Sequence, residues 1–133
     1  MRMMAMIGMA AILMGSAAVA RPALRDVPEI DNGMLFIGIA DEIRKTCPSI
    51  SARIFRALSA MRTLEARATD MGYSAQEIAA YVDSDAEKAR MRVRADAYYE
   101  ANGVTAGDPQ SYCALGRVEI EKSSQIGTLL KAK

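Results

Sequence analysis

The sequence contains no histidine and no tryptophan, and among its 133 residues there are only two cysteines, two phenylalanines and four prolines. Without histidine, the commonest metal ligand and the commonest general base near neutral pH are both missing. The two cysteines, Cys47 and Cys113, are far apart and form no C-x-x-C pair, which removes the usual dithiol redox motif. No nucleotide-binding signature and no nucleophile elbow is present, and Ser49, Ser51, Ser123 and Ser124 have no base partner in the sequence. Asp83-Ser84-Asp85-Ala86-Glu87 opens like a calcium loop, but Lys88 stands where glycine is needed and Arg94 where glutamate is needed. No catalytic residue, no metal ligand and no cofactor site is therefore assigned. Internal repeats and alternating strand patterns are absent as well.

What is present begins with an export signal. Arg2 precedes an uncharged run from Met3 to Ala20 that ends in Ala18-Val19-Ala20, which matches a positive n-region, an apolar h-region and an A-x-A cleavage site. The run is long enough to span a bilayer if retained, so an uncleaved anchor is the competing reading. Ser16, Ala17, Ala18 and Ala20 suit signal peptidase better, and cleavage after Ala20 into the periplasm is expected. Removing residues 1–20 costs one charge, Arg2, and leaves sixteen basic residues against sixteen acidic ones. A neutral chain with interspersed charges has no broad footprint for nucleic acid or for an anionic membrane, and no nucleic-acid module is present. No stable transmembrane span is expected after cleavage.

The remaining pattern is helical. Residues 21–30, with Pro22 and Pro28 among charges, read as an extended lead-in, and residues 31–133 read as one helical domain. Leu35, Ile39 and Ile43 recur at fourfold spacing and predict a helix from about Asn32 to Lys45, capped by Asp31 or Asn32 and ended by Cys47-Pro48. A second helix starts at Ser49 or Ser51 and stops at Gly72. Its stripe of Ile50, Ile54, Ala57, Met61, Leu64, Ala68 and Met71 is expected to face the core. Ser74-Ala75-Gln76-Glu77 is a capping box that opens a short helix through Ile78 to Val82. A long polar helix follows from Asp83 or Ser84 to Ala101, with Ala86, Ala89, Val93 and Ala97 as its buried stripe and Asn102-Gly103 as its stop. Asp108-Pro109 starts the last helix, where Cys113, Gly116 and Ile120 share a face, and the apolar tail from Ile126 to Leu130 is expected to return to the domain. The fold class is thus all-α, a small bundle of about four or five helices.

An even cysteine count behind an export signal favours a structural disulfide between Cys47 and Cys113. Closing a loop of about 67 residues removes roughly 4 kcal/mol of unfolded-chain entropy. Arg53, Arg56, Arg90 and Arg94 are the candidate docking or anion contacts, although a solvated mixed-charge face explains them too, because acidic residues are interleaved with them.

Ile39-Ala40-Asp41-Glu42-Ile43-Arg44-Lys45, Cys47-Pro48-Ser49-Ile50-Ser51-Ala52-Arg53, Tyr112-Cys113-Ala114-Leu115-Gly116-Arg117 and Gln125-Ile126-Gly127-Thr128-Leu129-Leu130 resemble a family of small exported alphaproteobacterial proteins of unknown function. The resemblance spans nearly the whole chain beyond the leader. It implies a bacterial periplasmic setting and supplies no activity and no ligand. The expected function is that of a non-catalytic interaction or accessory protein whose partner is a periplasmic or membrane-associated protein. The alternative is a small-ligand binder or enzyme with a pocket between helices, lined by Tyr98, Tyr99 and Tyr112, with Arg90 or Arg94 as an anion contact.

Overall fold

A proline at the first position of the first helix sets the start of the architecture. In a computed structural model that describes residues 20–133, α1 runs from Pro28 to Thr46, with Glu29 and Asp31 in its first turn and Arg44 and Lys45 in its last. Those charges complement the helix dipole at both ends. Four more helices follow: α2 (Ile54–Asp70), α3 (Ala75–Asp83), α4 (Asp85–Ala101) and α5 (Pro109–Lys122). The first nineteen residues, which carry the expected leader, lie outside the described residues.

Among the described residues the all-α bundle of five helices agrees with the sequence expectation, and so does the Cys47–Cys113 disulfide, which closes with an S–S distance of 2.01 Å. Ser74 caps α3 through the reciprocal capping box with Glu77, Ser84 caps α4, and Asp108 caps α5 ahead of Pro109. Two details differ. The expected extended lead-in is extended only at its start: Leu24–Asp26 forms a 3-10 turn, and α1 begins at Pro28, four residues before the predicted start. Ile50–Ala52 (β1) is not helical but pairs antiparallel with Leu130–Ala132 (β2), with Ser51 opposite Lys131. The returning tail supplies that partner, which no local pattern announces.

The core is centred on α1. Ile39 and Ile43 are fully buried together with Cys47, Ile50, Cys113, Ile126 and Leu130, and Leu35, Tyr99, Leu115 and Leu129 complete the cluster. Gly116 makes the close approach possible. A methyl group there would lie 2.4 Å from Ile50 Cδ1 and 2.9 Å from Ile43 Cγ2, both in a filled core. Gly116→Ala is expected to destabilise the domain by about 2 kcal/mol, as overpacking of a dense core does, and a urea titration checks it. A second, smaller cluster joins Leu24, Ile30, Ala68 and Tyr73, so the lead-in is pinned to the far ends of α1 and α2. The Tyr73 hydroxyl donates to the Pro22 carbonyl at 2.5 Å.

One expected stripe forms only in part and another does not form: Ala57, Leu64 and Ala68 of the expected α2 stripe do turn inward. On α2 the buried side is Ala57, Ala60, Leu64 and Ala68, whereas Ile54, Met61 and Met71 face solvent. The reason is size. Gly33 of α1 lies under Leu64, with room for no methyl group, and the alanines let α2 sit close, which turns the larger side chains outward. On α4, Ala86, Ala89, Val93 and Ala97 are exposed, and the inward face is Arg90, Met91, Arg94, Ala95, Tyr98 and Tyr99. A buried carboxylate on α1 draws that face inward.

Candidate docking surface

That carboxylate is Asp31. It sits one step back along the same fourfold series as Leu35, Ile39 and Ile43, so the apolar face of α1 carries a charge into the interior, and only 5 % of the residue is exposed. An unpaired charge at such a position costs several kcal/mol, and here it is fully partnered. Arg90 gives two hydrogen bonds, Nη1 to Oδ2 at 3.0 Å and Nη2 to Oδ1 at 2.5 Å; the Tyr81 hydroxyl donates at 2.6 Å, and Arg94 Nη1 donates to Oδ2. Arg94 also reaches Asn32 Oδ1 at 2.6 Å, and Glu87 binds Arg90 Nε at 2.8 Å. Burial alone would raise the Asp31 carboxyl, but the hydrogen bonds from Arg90 and Tyr81 and the charges of both arginines outweigh it and hold the group below its ordinary value. The same contacts push the Tyr81 phenol upward, through burial first and then its bond to Asp31.

A second buried carboxylate, Glu119, locks the other end. Tyr98 donates to Oε1 at 2.5 Å, Ser124 donates to Oε2, and Gly127 N donates to Ser124 Oγ at 2.9 Å, so α4, α5 and the tail meet there. Burial, then the bond to Glu119 and its charge, raise the Tyr98 phenol to about 12. Tyr99 packs edge-on against Tyr112 with ring centroids 5.2 Å apart. Among the described residues no buried side-chain nitrogen or oxygen lacks a hydrogen-bond partner, and no cluster of acidic or sulfur ligands could hold a metal ion. The carboxylates of Asp31 and Glu119 are thus satisfied by protein groups on neighbouring elements.

The arginines singled out in the sequence fall into two settings. Arg90 and Arg94 are committed to Asp31. Arg53 and Arg56 stand at the start of α2, where Arg53 Nε reaches the Leu130 carbonyl at 3.1 Å and Arg56 Nη1 the Thr128 carbonyl at 3.4 Å. Cys47 and Cys113 are buried in their disulfide.

What the sequence reading missed is the open apolar strip beside Arg53 and Arg56. Ile54 is 56 % exposed, Phe55 88 %, Leu58 43 % and Met61 44 %. On an α-helix these positions fall on one side, adjacent to the alanine face. Between α1 and α2 the strip borders a groove of about 380 Å³ that includes Met34, Gly38, Leu58 and Met61. A second groove of about 310 Å³ lies between α1 and α4 and is mixed in character, with Met34, Met91 and Tyr99 in its wall beside Glu42, Lys88 and Arg92, whereas the α2 strip is apolar throughout. A contiguous exposed apolar surface of this kind marks an interaction site more often than a catalytic one.

A family model matches residues 22–131, nearly the whole described chain. The chain belongs to DUF5333, a family of unknown function. No curated protein and no solved structure matches it. The DUF5333 match takes in both cysteines, the Asp31 cluster and the α2 strip, so the family region is the folded unit itself rather than one part of it.

Proposed function

We propose that this DUF5333 protein is exported to the bacterial periplasm, loses its leader after Ala20, and works there as a non-catalytic accessory protein that acts by docking. The single observation that carries the reading is the strip of Ile54, Phe55, Leu58 and Met61, held open to solvent on a helix whose other side is already packed. Keeping such side chains in water serves no purpose in the fold, and their exposure is an aggregation hazard unless something covers them. The buried disulfide supports the oxidising compartment, since such bonds persist in the periplasm and are rare in the cytosol. The docking target is a periplasmic or membrane-associated protein or the membrane surface itself.

Cell fractionation with N-terminal sequencing tests the location: the expected product is periplasmic and begins at Arg21. Affinity capture with the oxidised protein from periplasm and solubilised envelope, alongside mass spectrometry under native conditions, tests the mode of action. A bound envelope component, protein or phospholipid, and no stoichiometric metabolite are expected. A stoichiometric small molecule carried through purification would overturn the reading.

A further inference from the structure

We propose that the N-terminal half of α2 is a membrane-surface anchor, which rests on the docking reading above and names what the strip meets: an anionic phospholipid bilayer. The strip is apolar, but its surroundings are cationic. Residues 53–64 contain Arg53, Arg56 and Arg62 and no acidic residue, and Lys131, exposed opposite Ser51 in the two-stranded ladder, adds a charge beside the start of the helix. Among the described residues no carboxylate pairs with any of these four. On the other side of the strip, Asp41 lines the α1–α2 groove with Arg44, and that one carboxylate is shared by Arg44 at 2.6 Å and Lys45 at 2.5 Å. The first acidic residue along α2 is Glu65, one turn beyond Met61, where the apolar strip ends.

A helix with exposed Phe, Leu, Ile and Met flanked by arginines suits the headgroup region: the rings and aliphatic chains enter the acyl boundary and the guanidiniums stay among the phosphates. Among the described residues no helix is long and apolar enough to cross a membrane, so the mode is lying on the surface rather than spanning it. The neutral balance of the chain after residue 20 conceals this, because it averages the basic stretch of α2 with acidic residues on the other helices. A second copy of the chain is a poorer occupant. A symmetric contact through this strip would bring the Arg53, Arg56 and Arg62 set of one copy close to the same set of the other, and like charges across an interface are unfavourable.

The test uses the protein recovered after export and two kinds of vesicle, phosphatidylcholine alone and phosphatidylcholine mixed with phosphatidylglycerol. Co-sedimentation is expected with the mixed vesicles only, and it should weaken sharply as salt is raised, because the surface charge is then screened. Phe55→Ser and Arg62→Glu should each lower vesicle affinity by about tenfold or more. Both positions are exposed, so the thermal melt should not move. Val93→Ser, on an equally open part of α4, should leave binding unchanged. Equal sedimentation with uncharged vesicles would overturn the proposal, as would insensitivity to Phe55→Ser and Arg62→Glu. It also fails if those substitutions instead abolish self-association or capture of an acidic protein while the wild-type chain ignores lipid; the docking reading then stands. A stoichiometric metabolite overturns the docking reading whatever the vesicles show.

Discussion

Replacing Cys47 and Cys113 together by alanine is expected to lower the unfolding free energy by about 4 kcal/mol, most of the margin by which a small domain is stable. The bond joins residues 66 apart in sequence, so its loss frees a long loop in the unfolded chain. It also links the residue that closes α1 to the second turn of α5, and both sulfurs lie in the centre of the core between Ile43, Ile50 and Leu130. Alanine is the better substitution, because buried serine hydroxyls would add a desolvation cost unrelated to the crosslink. Urea titration of the double variant, compared with the wild type before and after reduction, measures the effect. Reduction of the wild type should reproduce most of the loss. A difference below about 1 kcal/mol would show that packing around α1 holds the domain without the staple.

The features legible in the sequence are those that depend on neighbours within one or two turns. The capping box at Ser74, the Ser84 cap and the Asp108-Pro109 start all have the predicted geometry, because each is satisfied by backbone groups three or fewer residues away. The disulfide was legible through compartment and parity rather than geometry. What escaped was rotation of the helices about their axes. On α2 the expected stripe holds at Ala57, Leu64 and Ala68 but turns toward Ala60 and away from Ile54, Met61 and Met71, with Gly33 and Ile37 standing on the facing helix. The exposed strip was invisible for that reason: Ile54 and Met61 read as core together with Ala57, Leu64 and Ala68, and a turn of the helix toward Ala60 leaves them outside. The rotation of α4 follows from a charge rather than from volume. Continuing the Leu35, Ile39, Ile43 series backwards gives Asp31, and a carboxylate on an apolar face requires cations opposite it. Arg90 and Arg94, four apart on α4, are the available pair, but a helix start capped by Asp31 or Asn32 hides the requirement. Pro28 was the corrective signal, since proline suits the first position of a helix and would have moved Asp31 inside it.

Asp31→Ala is accordingly expected to cost about 3 kcal/mol near neutral pH, the lower end for breaking a buried ion pair. The lower end applies because the side chains of Arg90 and Arg94 are 23 % and 32 % exposed, so water can partly replace the lost carboxylate. Glu87 also remains on Arg90. The consequence should be local as well as global: Tyr81, Arg90 and Arg94 tie α3 and α4 to α1 through this residue, with Arg94 keeping one further bond to Asn32, and amide exchange in those two helices should rise more than in α5. The pH dependence has a definite sign. The folded-state carboxyl titrates below its ordinary value of 3.8, so the ionised cluster contributes fully above that value and its contribution disappears as pH falls through the lower, folded-state value. The stability gap between wild type and Asp31→Ala should therefore be flat from neutral pH down to about pH 4 and close only below it. Other carboxylates titrate in the same range in both proteins, so the difference between the two denaturation curves, rather than either alone, carries the result. A gap that closed on raising the pH from neutral would mean that the cluster draws its stability from a group other than the Asp31 carboxylate.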